Sequence, residues 1–320
     1  MSKLSNGIEP SIKSFLEDSN SQSGPQIFDL SVKEAREVLL SVQDIDVNKL
    51  PADIEDRDIP GGPSGNVSIR IVRPKGVDEL LPVIMYFHGG GWVLGDKNTH
   101  DRLIREIAKG SNAAVVFVNY TPSPEAKYPV PLEEAYAATK YIAENGNKFN
   151  LDSSKIVVAG DSVGGNMATV VSMMAKERGG PDILFQLLFY PVTDANFDTG
   201  SYKKFANDHW LSLDAMKWYW DNYLPDKEKR KEPTASPLQA SVDRLKDLPP
   251  AMVINGEFDV LRDEGEAYAH KLNEAGVKVT AVRYLGTIHD FVMLNPITET
   301  PATRAAIKQA SEMLRDIFKK

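Results

Sequence analysis

A serine framed by glycines, Gly160-Asp161-Ser162-Val163-Gly164-Gly165, follows the apolar run Ile156-Val157-Val158-Ala159 and precedes a helix-forming stretch that begins at Asn166-Met167-Ala168. Strand, turn and helix in that order push the serine hydroxyl out at the end of a sheet. Gly160 and Gly164 remove the side chains that would collide as the strand doubles into the helix. The helix N-terminus then offers free N–H groups and the positive end of its dipole to negative charge on a bound substrate. The chemistry that this layout suits is acyl transfer with Ser162 as nucleophile. Alone the pattern says little, because G-x-S-x-G arises by chance in about one chain in ten of this length. A capping serine at a glycine-rich helix entry would read the same way.

The rest of the chain supplies what such a serine needs. His88-Gly89-Gly90-Gly91-Trp92 leaves the strand Val83-Ile84-Met85-Tyr86-Phe87 at its carboxyl end, where glycine backbone N–H groups can approach an oxyanion closely. A phosphate loop would carry a lysine and a hydroxyl entering a helix, whereas Trp92 follows here. Only five histidines are available as the base. In hydrolases of this layout the order is serine, acid, histidine, so His88 and His100 come too early. His209 lies among cap candidates and His270 sits on a helical run, which leaves His289 in the loop Gly286-Thr287-Ile288-His289-Asp290-Phe291. For the acid that orients the imidazole, Asp259 is best placed, just after the strand Ala251-Met252-Val253-Ile254-Asn255-Gly256. Glu257 and Asp263 are close rivals, and Asp263 also suits the first turn of a helix.

These groups need a scaffold. β-Branched or aromatic runs predict strands near Asn66–Pro74, Pro82–His88, Ala113–Tyr120, Lys155–Gly160, Leu184–Tyr190, Ala251–Gly256 and Lys278–Tyr284. Helical patterns over Thr99–Lys109, Pro129–Glu144, Val163–Glu177, Asp263–Ala275 and Pro301–Phe318 separate most of them. The alternation predicts a mostly parallel central sheet flanked by helices, with ligands at the carboxyl ends of the strands. Two segments break it. Residues 1–58 hold helical candidates at Ile8–Asp18 and Ser31–Val42 and no strand, and residues 194–246 gather Phe205, His209, Trp210, Trp218, Tyr219, Trp220 and Tyr223. Both read as parts of a helical cap over a core made of 59–193 and 247–320. The helical spacing of Met216, Tyr219, Trp220 and Tyr223 suits an ordinary helix core and a pocket wall equally.

With 320 residues, 42% hydrophobic and net charge −8, the chain can bury a full core and presents no basic field for nucleic acid or anionic lipid. It contains no cysteine, which excludes disulfides, thiol catalysis and cysteine metal sites. The polar start Met1-Ser2-Lys3-Leu4-Ser5-Asn6-Gly7 and the lack of any membrane-length apolar run predict a soluble cytoplasmic protein.

From about Asp78 to Leu294 the chain resembles the hormone-sensitive-lipase-like (bacterial family IV) carboxylesterases of the α/β-hydrolase fold, which carry H-G-G-G before a G-D-S-A-G elbow. The resemblance rests on His88–Trp92, Gly160–Asn166, Gly256-Glu257-Phe258-Asp259-Val260-Leu261-Arg262-Asp263, His289-Asp290-Phe291 and Ser236-Pro237-Leu238. It implies Ser162 as nucleophile, His289 as general base and acid, Asp259 as third member, and the N–H groups of Gly90, Gly91 and Val163 as oxyanion hole. It also implies His88 as a structural residue. Val163 stands where the family usually has alanine, and Tyr120-Thr121-Pro122-Ser123-Pro124-Glu125 only partly follows Y-R-L-A-P-E. Asp290 replaces the usual glycine; a carboxylate beside the base either stabilises the imidazolium and raises its pKa or points to solvent, and solvent is the favoured expectation.

The implied reaction is hydrolysis of small-molecule esters of short or medium acyl chains without metal or organic cofactor. Trp92, His209, Trp210 and Trp218 are candidates for the substrate pocket. A base of ordinary histidine affinity would lose activity as pH falls through roughly 6.5. The alternatives are a ligand-binding receptor on the same fold, or a thioesterase or amidase with the same triad. The resemblance also implies a homodimer through an edge strand and the C-terminal helix.

Overall fold

The computed structural model describes residues 4–22 and 24–319. Met1–Lys3, where the polar N-terminal reading begins, lie outside the described residues, as do Ser23 and Lys320. Two helices, α1 (Pro10–Ser21) and α2 (Val32–Gln43), come first, followed by strands β1 (Ala52–Pro60), β2 (Asn66–Pro74) and β3 (Leu81–Phe87). Then α3 (Asp101–Ser111), β4 (Ala114–Asn119), α4 (Val130–Asn145), β5 (Leu151–Asp161), α5 (Val163–Arg178) and β6 (Gln186–Phe189) alternate. Three short helices, α6 (Gly200–Phe205), α7 (Leu213–Tyr223) and α8 (Val242–Leu245), precede β7 (Ala251–Phe258), α9 (Arg262–Glu274), β8 (Val279–Ile288) and α10 (Pro301–Phe318).

The eight strands form one sheet in the order β1-β2-β4-β3-β5-β6-β7-β8. Only the β1–β2 and β2–β4 pairings are antiparallel; from β4 to β8 every pairing is parallel. Parallel strands covered by helices on both faces read as unbroken apolar runs, and Val83–Phe87 of β3 are fully buried. Carboxyl ends of β3, β5, β6, β7 and β8 therefore open on one side, which collects the glycine loop, Ser162, Asp259 and His289 there.

The expectation of a strand-free N-terminal segment fails at β1. Its sequence, Ala52-Asp53-Ile54-Glu55-Asp56-Arg57-Asp58-Ile59-Pro60, is mostly exposed and carries five charges in a row of six residues, so apolar patterning does not mark it. Register with β2 holds it in place, together with the Arg70–Asp56 ion pair at 2.7 Å. Helix α2 starts with a capping box, Ser31 and Glu34 satisfying each other's backbone N–H groups.

The N-terminal helices are tied to the loop that carries the candidate base. Gln43 at the end of α2 donates to the carbonyls of Thr99 (2.6 Å) and Met293 (3.0 Å), and its oxygen accepts from the Asn295 N–H (2.8 Å). Arg102 of α3, 2% exposed, donates to Val292 and Met293 carbonyls and to the Asn295 side chain, and pairs with Glu106 at 2.9 Å. Every donor of that fork lies where water does not reach, so the loop behind His289 has little freedom. Replacement Arg102→Ala leaves the Val292 carbonyl and the Asn295 side-chain oxygen without a donor, while Gln43 still serves Met293 and Arg304 still pairs with Glu106, and should cost about 1–3 kcal/mol. Denaturant midpoints of parent and variant measure it, and a loss below about 1 kcal/mol would show that the network does not hold the loop.

Candidate active site

Ser162 turns β5 into α5 in a single residue, with φ 55° and ψ −119°. That left-handed conformation costs a non-glycine residue roughly 1–3 kcal/mol and persists only where the surroundings over-determine it. Here the Ser162 N–H donates to the Phe189 carbonyl (2.8 Å), and its own carbonyl accepts from Val192 (3.1 Å) and Asn166 (3.2 Å). Helix α5 then enters so close to β3 that a Cβ on Gly164 would overlap the Phe87 carbonyl.

The structure brings the three candidate triad residues together. His289 Nε2 lies 3.0 Å from Ser162 Oγ, and Nδ1 lies 2.7 Å from Asp259 Oδ2. The other Asp259 oxygen accepts from the Leu261 N–H at 2.8 Å. All three side chains are buried, and the Tyr190 ring meets the imidazole edge-on with centroids 4.7 Å apart. The rivals for the acid are engaged elsewhere: Glu257 accepts from the Gly286 N–H, while Asp263 accepts from Ser201 and pairs with Arg262. His270 is exposed on α9.

The glycine loop is held from behind by a buried network that sequence reasoning did not find. Asp161, fully buried, accepts from Tyr86 Oη (2.7 Å) and the Gly89 N–H (3.1 Å) on one oxygen and faces His100 Nε2 (3.2 Å) with the other. Burial pushes the Asp161 carboxyl up, but the His100 charge and hydrogen bonds from His100 and Tyr86 outweigh it and hold it below the usual range. The G-D-S triplet hid this role, since nothing local says that the aspartate turns inward. His88 packs between Tyr120 (4.2 Å) and Phe117 (5.2 Å) and contacts the Gly89 carbonyl through Nδ1 (2.8 Å). Burial, reinforced by His100, brings its pKa down to about 4, so it stays neutral. Among the described residues, the N–H groups of Gly90, Gly91 and Val163 have no acceptor. Gly91, at φ 64°, lies against the Tyr219 ring more closely than any side chain would allow.

Asp290 departs from expectation. Its carboxylate is half-buried rather than in solvent: Trp210 donates its Nε1–H to one carboxylate oxygen (3.0 Å), and the other sits 3.3 Å from His289 Nε2. Trp210 comes from a segment eighty residues away in sequence, so local pattern could not place it. Burial alone would lower the His289 pKa, but the charges of Asp259 and Asp290 overcome it and raise it to about 9. The expectation that the base titrates near 6.5 is corrected upward accordingly.

The candidate pocket residues divide. Trp210 borders the base through Asp290 and stacks near Phe15 of α1, centroids 5.3 Å apart. The Trp92 ring is fully buried against Tyr223 (3.9 Å) and Trp220 (4.9 Å). His209 is bonded to Ser5 Oγ (3.0 Å) and the Asn207 carbonyl (2.7 Å), a joint between the N-terminal segment and the 194–246 segment. Trp218 packs on Tyr219. The described residues contain no cluster of His, Cys, Asp and Glu suited to a metal, and no described helix is long and apolar enough to cross a membrane.

A mostly parallel sheet with a strained serine elbow between β5 and α5 defines an α/β hydrolase. The alpha/beta hydrolase fold family matches residues 84–293. The chain is 50% identical to a thermostable esterase from Pseudomonas putida, over 98% of each chain and with TM-score 0.96. It is 40% identical to a fungal esterase from Rhizomucor miehei, covering 99% of this chain and 98% of that one with TM-score 0.92. Carboxylesterase NlhH of Mycobacterium tuberculosis is 37% identical over 243 residues, 75% of each chain. The chain belongs to the hormone-sensitive-lipase-like family of α/β hydrolases and is a carboxylesterase.

Replacing Asp161 by asparagine removes the charge that holds His100 and loosens Gly89. The expected result is a fall in kcat of about tenfold to a hundredfold with KM little changed, since oxyanion donors act in the transition state. Steady-state kinetics on a nitrophenyl ester test it, and an unchanged kcat would separate this network from catalysis.

Proposed function

We propose that this carboxylesterase hydrolyses short- to medium-chain acyl esters through Ser162, His289 and Asp259, with an acyl-enzyme intermediate. The observation that carries the reading is the unbroken series Asp259–His289–Ser162, at 2.7 and 3.0 Å, beside the three unpaired N–H groups. Ser162 Oγ attacks the ester carbonyl as its proton passes to His289 Nε2. Charge on the carbonyl oxygen is met by the N–H groups of Gly90, Gly91 and Val163. His289 returns the proton to the departing alcohol, then takes one from water, whose oxygen attacks the acyl-enzyme; the same proton passes to Ser162 Oγ as the acid is released. Asp259 holds Nδ1–H and compensates the imidazolium throughout.

The helices of residues 1–58 and the segment 194–246 serve as the cap in this reading, and 59–193 with 247–320 as the hydrolase core. Trp210 contributes the wall nearest the base, with Tyr219 over the glycine loop. The reading extends to a cytoplasmic location and to a homodimer through β8 and α10. Supporting the homodimer, β8 is an edge strand and its Leu285 is 70% exposed.

Nitrophenyl esters from acetate to palmitate, assayed with the parent and Ser162→Ala, test the reaction. Short esters should turn over, and the variant should lose at least about a thousandfold in kcat. A folded parent without activity would favour a receptor or a narrower bond specificity. Trp210→Ala should broaden acyl-length preference toward longer esters; an unchanged profile would return Trp210 to plain packing.

A further inference from the structure

The contact between Asp290 and His289 has the wrong hydrogen count for a resting triad. With Nδ1 at 2.7 Å from Asp259, the ring proton sits on Nδ1, and a neutral imidazole leaves only a lone pair at Nε2. That lone pair faces Ser162 Oγ at 3.0 Å, and one Asp290 oxygen lies 3.3 Å from Nε2 beside it, sealed from solvent and without a hydrogen-bond donor among the described residues. Two acceptors so placed repel each other in a medium that screens poorly. The aspartate also takes a left-handed backbone, φ 63°, which glycine would adopt without cost. Trp210 prevents an easy escape, because its indole N–H holds the other carboxylate oxygen at 3.0 Å.

We propose that the Asp290 carboxylate, through its charge beside Nε2, stabilises a proton on His289, and that Asp290 is a positioning residue that sets the pH at which Nε2 becomes free to accept the proton of Ser162. The inference rests on the proposed Ser162–His289 chemistry. Below the release pH the proton sits on Nε2, held there by the neighbouring carboxylate charge, and the base is occupied. As pH rises it leaves to solvent, and Nε2 faces the serine hydroxyl with an open lone pair.

The surroundings agree. Asp259 at the end of β7 and Asp161 at the end of β5 both add negative charge around the imidazole, and Asp161 is itself matched by His100. Tyr86 of β3, Tyr190 after β6 and Tyr219 of α7 face the pair as neutral phenols, each with its pKa pushed up, first by burial. Both partners move in the direction of retaining a proton: His289 rises to about 9, and burial raises the Asp290 carboxyl above its ordinary range.

The test is the pH dependence of kcat/KM on nitrophenyl acetate from about pH 5 to about pH 10 for the parent, Asp290→Asn and Asp290→Gly. Asparagine and glycine both tolerate the left-handed backbone. The parent's acid limb should lie well above 6.5, the unperturbed histidine value. In both variants its midpoint should fall by about one pH unit or more, a tenfold loss of proton affinity. Titration of the His289 ring by NMR, in Ser162→Ala with and without Asp290→Asn, reads the same shift without turnover. Midpoints that coincide with and without the carboxylate, in both measurements, overturn the proposal. Activity that survives Ser162→Ala would sink the serine mechanism instead, while the NMR titration would still judge the pair.

Discussion

Everything at the site depends on how closely helix α5 approaches strand β3. The approach is possible because Gly164 presents no side chain to the Phe87 carbonyl, and it forces Ser162 into a left-handed conformation on which three backbone hydrogen bonds converge. Once that turn exists, the Val163 N–H is left without an acceptor at the helix start, next to the glycine loop leaving β3. The strain at one residue is offset by the sheet around it, as is usual where backbone geometry serves a site.

Charge around the two most informative histidines shows how environment divides one residue type into two behaviours. His88, between two aromatic rings and beside another histidine, is driven down to about 4 and can only be a neutral hydrogen-bonding group. His289, equally buried, is surrounded by the carboxylates of Asp259, Asp290 and Asp161 and is driven the other way. Burial opposes protonation in both. The arrangement of carboxylates decides the outcome, and each carboxylate arrives from a different strand end or loop.

The N-terminal helices and the 194–246 segment take part in this electrostatic arrangement. Phe15 of α1 packs on Trp210, Ser5 binds His209, and Trp210 fixes the carboxylate beside the base. Gln43 of α2 and Arg102 of α3 meanwhile clamp the loop that follows His289. Gln43 of α2 thus helps to set the geometry of a loop some 250 positions further on by direct hydrogen bonds.

Amphipathic periodicity, capping residues and apolar runs were enough to read most strands and helices, because each reflects a local requirement: one face buried, one end hydrogen-bonded, one strand covered on both sides. The elbow and glycine loop were legible for the same reason, since backbone shape itself demands Gly160, Gly164 and Gly89–Gly91. Strand β1 was not legible, because an exposed edge needs register with β2 rather than apolar side chains. Sequence ranked Asp259 ahead of Glu257 and Asp263, three acids within seven residues, but what separates them physically is the direction each side chain takes from its backbone. The inward turn of Asp161, the Trp210 contact that withdraws the Asp290 carboxylate from solvent and the upward shift of His289 were decided by tertiary structure. Apart from Asp290 beside His289, their partners lie 30 to 80 positions away, and electrostatic energy depends on distance in space, which the order of residues does not contain.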